Sequence, residues 1–253
     1  MNTQLLKGKT AIVTGASRGI GEATARVFAR EGANVVICAR KLDSVAEVAA
    51  RITGVPGKVV PFGCHVGRRE DIAALVAFVE SELGGAHVLV NNAATNVQQG
   101  PCLEADEGQF DKMVEVNLKS VFRLIQGIAP GMVKRGGGSI INIASVAGIK
   151  PQFQSLLYSM TKAALIMMTR SYALELGPQK IRVNAIAPGL IQTKLSEFFW
   201  KDESRKDQMF GQQPIRHLGQ PEEIAEIALL LASDRASYMT GEVVVADGGF
   251  LLT

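Results

Sequence analysis

Short runs of apolar, mostly β-branched residues alternate along the chain with longer segments in which apolar residues recur at helical spacing. This alternation is typical of a parallel sheet that is covered by helices on both faces. The runs are nearly continuous in apolar character, as expected for strands that are buried on both sides. They predict seven strands, at residues 10–14, 35–40, 59–64, 88–91, 139–144, 182–187 and 242–246.

The segments between these runs predict helices at residues 19–31, 42–51, 69–83, 115–135 and 158–176, and a last helix that begins at Pro221. Proline suits the first helical position, and the acidic Glu222 and Glu223 favour the positive end of the helix dipole. The predicted fold class is therefore α/β, a doubly wound sheet of about seven mainly parallel strands with helices on both faces. No linker or repeat interrupts the series, which predicts a single domain over residues 1–253.

One segment, residues 190–218, breaks the alternation and is long for a connection in a compact α/β domain. Connections of this length are usually functional, and we interpret this one as a lid over the substrate. A subunit contact and an insertion without function are the alternatives. The large apolar side chains that could cover an apolar ligand are Phe198, Phe199, Trp200, Met209 and Phe210.

The composition of the 253-residue chain excludes several classes of protein. Hydrophobic residues make up 47% of the chain and charged residues 20%, which excludes a disordered protein. The net charge is +3 with scattered basic residues, whereas nucleic-acid binding needs a basic stripe or cluster. Three cysteines without C-x-x-C spacing indicate neither a disulfide framework nor a zinc site, and the 3 histidines lack metal-ligand spacing. No apolar stretch is long enough to span a membrane. We therefore expect a soluble, cytoplasmic protein without metal, membrane or nucleic-acid partners.

A glycine-rich loop, TGASRGIG, connects the first predicted strand to the first predicted helix. Its glycines, Gly15, Gly19 and Gly21, follow the spacing G-x-x-x-G-x-G rather than the common G-x-G-x-x-G. Glycines at such a turn let the backbone and the helix N-terminus approach a pyrophosphate, whose charge the helix dipole favours. A purely structural turn is the alternative, but the position after the first strand of a doubly wound sheet favours a dinucleotide site.

A second candidate site combines a tyrosine, a lysine and a serine. Tyr158 and Lys162 are four residues apart on a predicted helix, so they project from one face. A neighbouring ammonium group can stabilise the phenolate and make the tyrosine a usable acid-base group near neutral pH. Ser145 follows the fifth strand, at the sheet edge that faces the ligand crevice in such folds. We therefore expect these three side chains to converge.

Four motifs in the expected order resemble the short-chain dehydrogenase/reductase family over essentially the whole chain. They are TGASRGIG at 14–21, NNAA at 91–94, Ser145 followed by Y-x-x-x-K at 158–162, and the Pro188-Gly189 pair after the sixth strand. The resemblance implies a Rossmann-type enzyme that transfers hydride between NAD(P) and a carbonyl compound or alcohol.

The resemblance also implies catalytic roles. Tyr158 would protonate the carbonyl oxygen during reduction and act as the base during oxidation, while Ser145 would hold that oxygen. Lys162 would lower the pKa of Tyr158 and bind the nicotinamide ribose. Asn117 would support a water chain to Lys162; a buried amide that satisfies helix backbone groups is the alternative.

Further cofactor contacts are implied in the glycine loop and after the third, fourth and sixth strands. These residues are Gly15, Ser17, Arg18, Gly19, Ile20, Gly21, His65, Val66, Asn91, Ala93, Tyr158, Lys162, Pro188, Gly189, Ile191 and Thr193. The sequence departs from the family after the third strand, where Cys64-His65-Val66 replaces the Asp that commonly holds the adenine amino group. A neutral nitrogen of His65 could accept that hydrogen bond instead.

The charges that follow the second strand predict NADP(H) rather than NAD(H). Enzymes that use NAD place an Asp or Glu there for the ribose 2′-hydroxyl, whereas the 2′-phosphate of NADP needs a cation. Ala39 is neutral and is followed by Arg40 and Lys41, and Arg18 in the glycine loop can join them. Ordinary solvated surface cations are the alternative interpretation.

The substrate is a small carbonyl compound in the leading interpretation. Residues 64–67, 91–96 and 187–200 resemble NADPH-dependent carbonyl reductases that act on ketones, dicarbonyls or retinal-like compounds. A 3-oxoacyl-thioester reductase is the first alternative, with Lys134, Arg135 and Lys180 as a basic patch near the cleft for an acidic carrier protein. A cofactor-binding regulator without turnover is the second. The resemblance further implies a homotetramer that is built on the helices at 115–135 and 158–176.

Overall fold

Seven parallel strands form one sheet in the computed structural model, which describes residues 4–201, 211 and 213–253. In chain order they are β1 (Thr10–Thr14), β2 (Asn34–Ala39), β3 (Val59–Gly63), β4 (Val88–Asn91), β5 (Gly138–Ile143), β6 (Ile181–Pro188) and β7 (Val243–Ala246). Across the sheet they are ordered β3-β2-β1-β4-β5-β6-β7. The predicted doubly wound α/β fold is confirmed.

Helices cover both faces of this sheet. In chain order they are α1 (Gly19–Arg30), α2 (Leu42–Arg51), α3 (Arg69–Leu83), α4 (Glu107–Val114), α5 (Ser120–Lys134), α6 (Leu156–Leu176), the short α7 (Glu197–Trp200) and α8 (Pro221–Ala232). Among the described residues, no helix combines the length and the apolar character that crossing a membrane requires.

The strands supply side chains to two separate apolar cores because successive residues point to opposite faces. Val13 of β1 packs with Phe28 and Leu229 on the face that α1 and α8 cover. Ile12, its neighbour in β1, packs with Leu75 and Ile128 under α3 and α5. The two apolar cores thus hold β1 in place from both faces of the sheet, and this packing fixes the position of the loop that follows β1.

The strand order produces a crevice at one edge of the sheet. From β1 the sheet grows through β2 and β3 on one side and through β4 to β7 on the other. The loops after β1 and β4 therefore diverge at the carboxyl ends of their strands, where ligands bind in open α/β sheets.

The helix predicted at 115–135 begins earlier than expected and is interrupted. Asp106 caps the first turn of α4: its side chain accepts a hydrogen bond from the Gln109 backbone, and the Gln109 side chain accepts one from the Asp106 backbone. This capping box starts the helix at Glu107. A π-helical turn over Glu115–Lys119 then joins α4 to α5. The sequence interpretation overlooked the cap and therefore missed α4.

The excursion that follows β6 is closed at its base. Ile191 and Gly219 form an isolated parallel bridge, and the Gln192 amide donates to the Gly219 carbonyl at 2.8 Å. Within the excursion the structure describes α7, whereas Met209 and Phe210 of the expected lid lie outside the described residues. The single-domain boundary and the tetramer built on α5 and α6 stay predictions.

Candidate active site

The glycine loop after β1 is shaped by contact with the loop after β4. Gly15 has φ +64°, and a Cβ at this position would lie 2.8 Å from the Cα of Ala93. A Cβ at Gly21 would lie 2.6 Å from Nδ2 of Asn92. Thr14 joins the loops further, because its Oγ1 accepts hydrogen bonds from the backbone amides of Asn92 and Ala93, both at 3.0 Å. The loops leave a space in front of the α1 N-terminus.

A cavity of about 910 Å³ occupies this space. It exposes backbone at the start of α1, where amide groups and the helix dipole favour a phosphate. The residues predicted to bind cofactor that line it are Gly15, Ser17, Arg18, Gly19, Ile20, Arg40, His65, Val66, Ala93 and Thr193. The glycine cradle and the volume fit the adenosine and pyrophosphate part of a dinucleotide.

Three residues of the predicted set line neither this cavity nor the cavity that adjoins it, so their direct contact with a cofactor stays a prediction. Gly21 packs against Asn92, as described above. Asn91 is buried in β4, and its Nδ2 donates to Oδ1 of Asn142 at 2.8 Å, so it ties β4 to β5. Lys41 is exposed before α2, and its carbonyl accepts a hydrogen bond from Ser44 at 2.7 Å. Close packing against Asn92 explains why Gly21 is a glycine, and the link between β4 and β5 explains the position of Asn91.

Among the described residues, some of the cationic side chains that line the first cavity form ion pairs with a carboxylate, and others do not. Lys194 and Lys201 both form ion pairs with Glu197, and they hold the pKa of that carboxyl at about 2. Arg18 and Arg40 are exposed at the ends of the loops after β1 and β2, and in the described part of the chain neither forms an ion pair. Their charges therefore remain available to an anion.

His65 cannot play the role expected of it. Its Nδ1 accepts a hydrogen bond from the Gly67 amide at 3.0 Å. A neutral imidazole whose Nδ1 accepts carries its proton on Nε2, so the free ring nitrogen is a donor. The expectation that His65 accepts a hydrogen bond from the adenine amino group is therefore wrong; the ring can instead donate to a ring nitrogen of a base.

A second cavity, of about 630 Å³, adjoins the first. The two share lining residues that include Asn92, Ala94 and Thr193. Six of the predicted residues line the second cavity alone, namely Ser145, Tyr158, Lys162, Pro188, Gly189 and Ile191, while Ile20 and Thr193 line both cavities. The structure therefore brings three of the four predicted catalytic side chains and the predicted nicotinamide wall to one space.

Ser145 and Tyr158 line the same cavity and lie within hydrogen-bonding reach of each other. Ser145 follows β5, and its Oγ accepts a hydrogen bond from the Ala147 amide at 3.1 Å, so its hydroxyl group can still donate a hydrogen bond. Burial raises the pKa of Tyr158 to about 12, and a hydrogen bond with Ser145 offsets part of that rise. The phenol is therefore neutral near pH 7 and holds a proton that it can donate.

Lys162 lies beside Tyr158 and bonds the end of β5. Its Nζ donates to the Ile143 carbonyl at 2.6 Å and lies 5.5 Å from the centre of the Tyr158 ring. Burial lowers the pKa of Lys162 to about 8. The ammonium group is directed at the end of β5, and burial has the largest effect on the pKa of the phenol, so the lowering of the Tyr158 pKa by Lys162 stays a prediction.

Asn117 lies in the π-helical turn between α4 and α5, away from both cavities. Its side chain bonds the backbone of Thr95 twice, accepting from the amide at 2.9 Å and donating to the carbonyl at 3.0 Å. Nδ2 also donates to Oγ1 of Thr161 at 3.1 Å. Asn117 thus satisfies backbone groups of the loop after β4 rather than the helix backbone of the alternative interpretation, and it links this loop to the helix of Tyr158. The water chain stays a prediction.

Sequence reasoning missed Gln98, which bonds the N-terminal turn of α6. This buried side chain donates from Nε2 to the Gly100 carbonyl at 2.9 Å, and its Oε1 accepts from the Leu157 amide at 3.3 Å. It therefore caps the first turn of α6, next to Tyr158. The two partners are 59 residues apart, so no local signal could have revealed the contact.

The basic patch that was expected near the cleft lies instead at the edge of the sheet where the strands begin. Lys134 and Arg135 precede β5, and Lys180 precedes β6, where its carbonyl accepts a hydrogen bond from the Gly138 amide. Arg135 also pairs with Glu80 at 2.9 Å. The three residues flank the amino ends of the strands, whereas both cavities open at the carboxyl ends.

The aromatic side chains in the described part of the expected lid have two different kinds of contact. Phe198 and Phe199 line the second cavity and give it apolar surface. Trp200 does not line it; its Nε1 donates to the Thr193 carbonyl at 3.1 Å and braces the turn before α7.

Replacing Lys162 with methionine is expected to change how the stability of the cofactor-free protein depends on pH. Because the pKa is lowered from 10.5 to about 8 on folding, the unfolded chain binds more protons between these values. Wild-type stability therefore rises with pH across this window relative to Lys162→Met, by on the order of 2 kcal/mol from pH 7 to 10. Urea unfolding of both proteins measures this difference, in which the other titrating groups cancel. A difference that is constant with pH would show that Lys162 is not held in the buried setting described.

Comparison with known proteins matches nearly the full length of the chain to one family. A family model described as Enoyl-(Acyl carrier protein) reductase matches residues 15–251. Dehydrogenase/reductase SDR family member 4 of Sus scrofa is 42% identical over 244 residues, which cover 96% of this chain and 88% of that protein. The 3-oxoacyl-(acyl-carrier-protein) reductase FabG of Thermotoga maritima is 40% identical over 250 residues, which cover 98% of this chain and 99% of that protein.

Solved structures agree with this match. The L-sorbose reductase of Gluconobacter frateurii, complexed with NADPH and L-sorbose, has a TM-score of 0.92 at 36% identity and covers 100% of both chains. A 7α-hydroxysteroid dehydrogenase complexed with NADH and 7-oxo glycochenodeoxycholic acid has a TM-score of 0.93 at 36% identity and covers 98% of this chain and 96% of that one. The chain therefore belongs to the short-chain dehydrogenase/reductase family of oxidoreductases.

Proposed function

We propose that the protein is an NADP(H)-dependent carbonyl reductase that converts ketones to alcohols reversibly. The observation that carries this proposal is the meeting of Ser145, Tyr158 and Lys162 in one cavity that adjoins the glycine-loop cavity. Side chains for proton transfer thus lie where the nicotinamide end of a dinucleotide would reach if its pyrophosphate occupied the α1 N-terminus.

The chain's own residues supply proton transfer and orientation. The bound nicotinamide cofactor supplies the hydride in such an enzyme. Tyr158, neutral near pH 7, donates its phenolic proton to the substrate carbonyl oxygen. Ser145 keeps its own proton and donates a hydrogen bond from its hydroxyl group to the same oxygen, which holds that oxygen toward Tyr158. Lys162, with a pKa of about 8, is mostly protonated near pH 7 and adds a positive charge to the cavity that Tyr158 lines, with Nζ 5.5 Å from the centre of the Tyr158 ring.

The preference for NADP(H) over NAD(H) rests on charge at the end of β2. Solved relatives include one complexed with NADPH and one complexed with NADH, so family membership leaves the choice open. Ala39 supplies no carboxylate for a ribose hydroxyl, while Arg18 and Arg40 line the cavity with available charge. A guanidinium pair suits a phosphate because each fork can form two charge-assisted hydrogen bonds.

A 3-oxoacyl-thioester reductase is the second candidate function. The resemblance to the Thermotoga maritima reductase favours it. The position of Lys134, Arg135 and Lys180 at the opposite edge of the sheet removes the charge argument for a carrier protein at the cleft. A regulator without turnover is the least favoured, because Asn117, Ser145, Tyr158 and Lys162 are all present.

A substrate panel with NADPH tests the proposal. We expect NADPH oxidation with free ketones and α-dicarbonyls to exceed that with carrier-bound 3-oxoacyl thioesters. We also expect the rate to change little with salt, because a small neutral substrate needs no electrostatic docking. Faster, salt-sensitive reduction of the carrier-bound chains would favour the second candidate. No turnover with any carbonyl compound would contradict the proposed function.

A further inference from the structure

A buried glutamine, Gln213, lines the second cavity together with Tyr158 of α6. It lies within the excursion after β6 and has only 6% of its surface exposed. Its loop packs on the turn after β7: the Ile215 amide donates to the Gly248 carbonyl at 2.9 Å. A Cβ at Gly248 would lie 2.6 Å from Nε2 of Gln213, so the side chain has little room to move.

Hydrogen bonds fix which end of the Gln213 amide faces the cavity. Nε2 donates to the carbonyls of Ile215 and His217, at 2.5 and 2.9 Å. Two carbonyl acceptors at one end of the amide require the nitrogen there, so the orientation of the group is determined. Both donor hydrogens are therefore used within the loop, and Oε1 points away from it.

Among the described residues, no group donates a hydrogen bond to Oε1 of Gln213, and this atom is not one of the buried atoms sealed from solvent. Gln213 is one of the residues that line the second cavity. Phe250, which follows the turn that Gln213 contacts, and Pro188 and Leu190 add apolar surface to the same cavity. A rigid acceptor in such surroundings is suited to a ligand that brings one hydrogen-bond donor.

We propose that Oε1 of Gln213 accepts a hydrogen bond from a hydroxyl group of the substrate, which makes hydroxyketones the preferred substrate class. This inference rests on the proposed reduction of ketones and deepens it. Gln213 is then a specificity-determining residue: Tyr158 and Ser145 bind the carbonyl oxygen, while Gln213 binds a second oxygen on the carbon chain.

The physical basis is the cost of an unpaired acceptor. A ketone without a hydroxyl group must displace water from Oε1 and leave that atom unsatisfied, whereas a hydroxyketone replaces the lost hydrogen bond. Sites that hydrogen-bond a substrate hydroxyl therefore reject the analogue that lacks it. We expect a preference of about tenfold or more in kcat/KM from one such neutral contact.

Four ketones of equal chain length test the inference: 2-heptanone and its 3-hydroxy, 4-hydroxy and 5-hydroxy derivatives, each reduced with NADPH. Wild-type protein should reduce at least one hydroxyketone about tenfold more efficiently than 2-heptanone. In Gln213→Leu this ratio should fall to about one, because the acceptor is gone and the apolar side chain no longer needs a donor. The ratio is informative because damage to the loop lowers both rates together.

Two further variants separate the acceptor from the loop anchor. Gln213→Glu keeps an oxygen toward the cavity but loses the Nε2 bonds, so it should retain the preference for the hydroxyketone even at a lower overall rate. Gln192→Leu is the matched control, since Gln192 lies in the same excursion and bonds Gln220 outside the cavity. It should leave the ratio unchanged.

The outcomes distinguish the two levels of the proposal. Equal efficiency with all four ketones in wild type, or equal losses in Gln213→Leu for both kinds of ketone, would overturn the role of Gln213 while ketone reduction stands. A wild-type protein that reduces none of the four would overturn the proposed function and the inference with it.

Discussion

Replacing Tyr158 with phenylalanine is expected to lower kcat for ketone reduction at least about a hundredfold. The phenolic oxygen is the group that holds a transferable proton beside Ser145, and phenylalanine keeps the ring packing while removing that proton. Binding of NADPH should change less than about twofold, because no charge and little surface are lost. Steady-state kinetics and fluorescence titration with NADPH measure the two quantities.

The pH dependence provides a second measurement on Tyr158. Reduction needs the neutral phenol, which a pKa of about 12 maintains throughout the neutral range, whereas alcohol oxidation needs the phenolate. Oxidation in wild type should therefore accelerate as pH rises, and the variant should lose this dependence. Tyr238→Phe is a suitable control because Tyr238 is fully exposed and lines neither cavity. Near wild-type turnover by Tyr158→Phe would rule out the proposed proton donor.

Replacing both Arg18 and Arg40 with alanine is expected to reduce the ratio of kcat/KM for NADPH to that for NADH by about a hundredfold. Each guanidinium at the rim of the first cavity can form charge-assisted hydrogen bonds with a 2′-phosphate, and NADH has no such group. The efficiency with NADH should stay close to that of wild type. Kinetics with both cofactors at fixed ionic strength measure this ratio.

Lys41 provides the matched control for this double variant. It is a neighbouring exposed cation that does not line the cavity. Lys41→Ala should therefore leave the cofactor ratio unchanged, which separates a specific phosphate contact from a general loss of positive charge. Added salt should weaken NADPH binding in wild type more than in the double variant. A wild-type enzyme that uses NADH and NADPH equally well would contradict the assignment of the two arginines.

Regular elements were predictable because each depends on a local pattern. The strands at 10–14 and 88–91 and the helices at 42–51 and 69–83 agree with the structure to the residue. Buried strands between helices need uninterrupted apolar runs, and that requirement is visible without neighbours. The helix before the π-turn was missed although its signal, the capping box of Asp106 and Gln109, is also local.

The roles of individual polar atoms were much less predictable. His65 lies in the cofactor cavity as expected, but a backbone amide two residues away already occupies the nitrogen that was to accept a hydrogen bond. Lys162 reaches the cavity of Tyr158 as expected, but its ammonium group bonds the end of β5. In both cases the residue type and position were right, and a competing partner decided the chemistry of the atom.

The sequence by itself determined the α/β alternation, the glycine loop after the first strand and the positions of Ser145, Tyr158 and Lys162. These features are encoded by periodicity and short spacing, so they can be read along the chain. The tertiary structure alone decided that Lys134 and Lys180 lie at the edge opposite the cavities, that Gln98 caps α6, and that Gln213 lines the second cavity. The physical reason is that hydrogen bonds and cavity walls join atoms from segments far apart in sequence, and their pairing exists only after the sheet has brought those segments together.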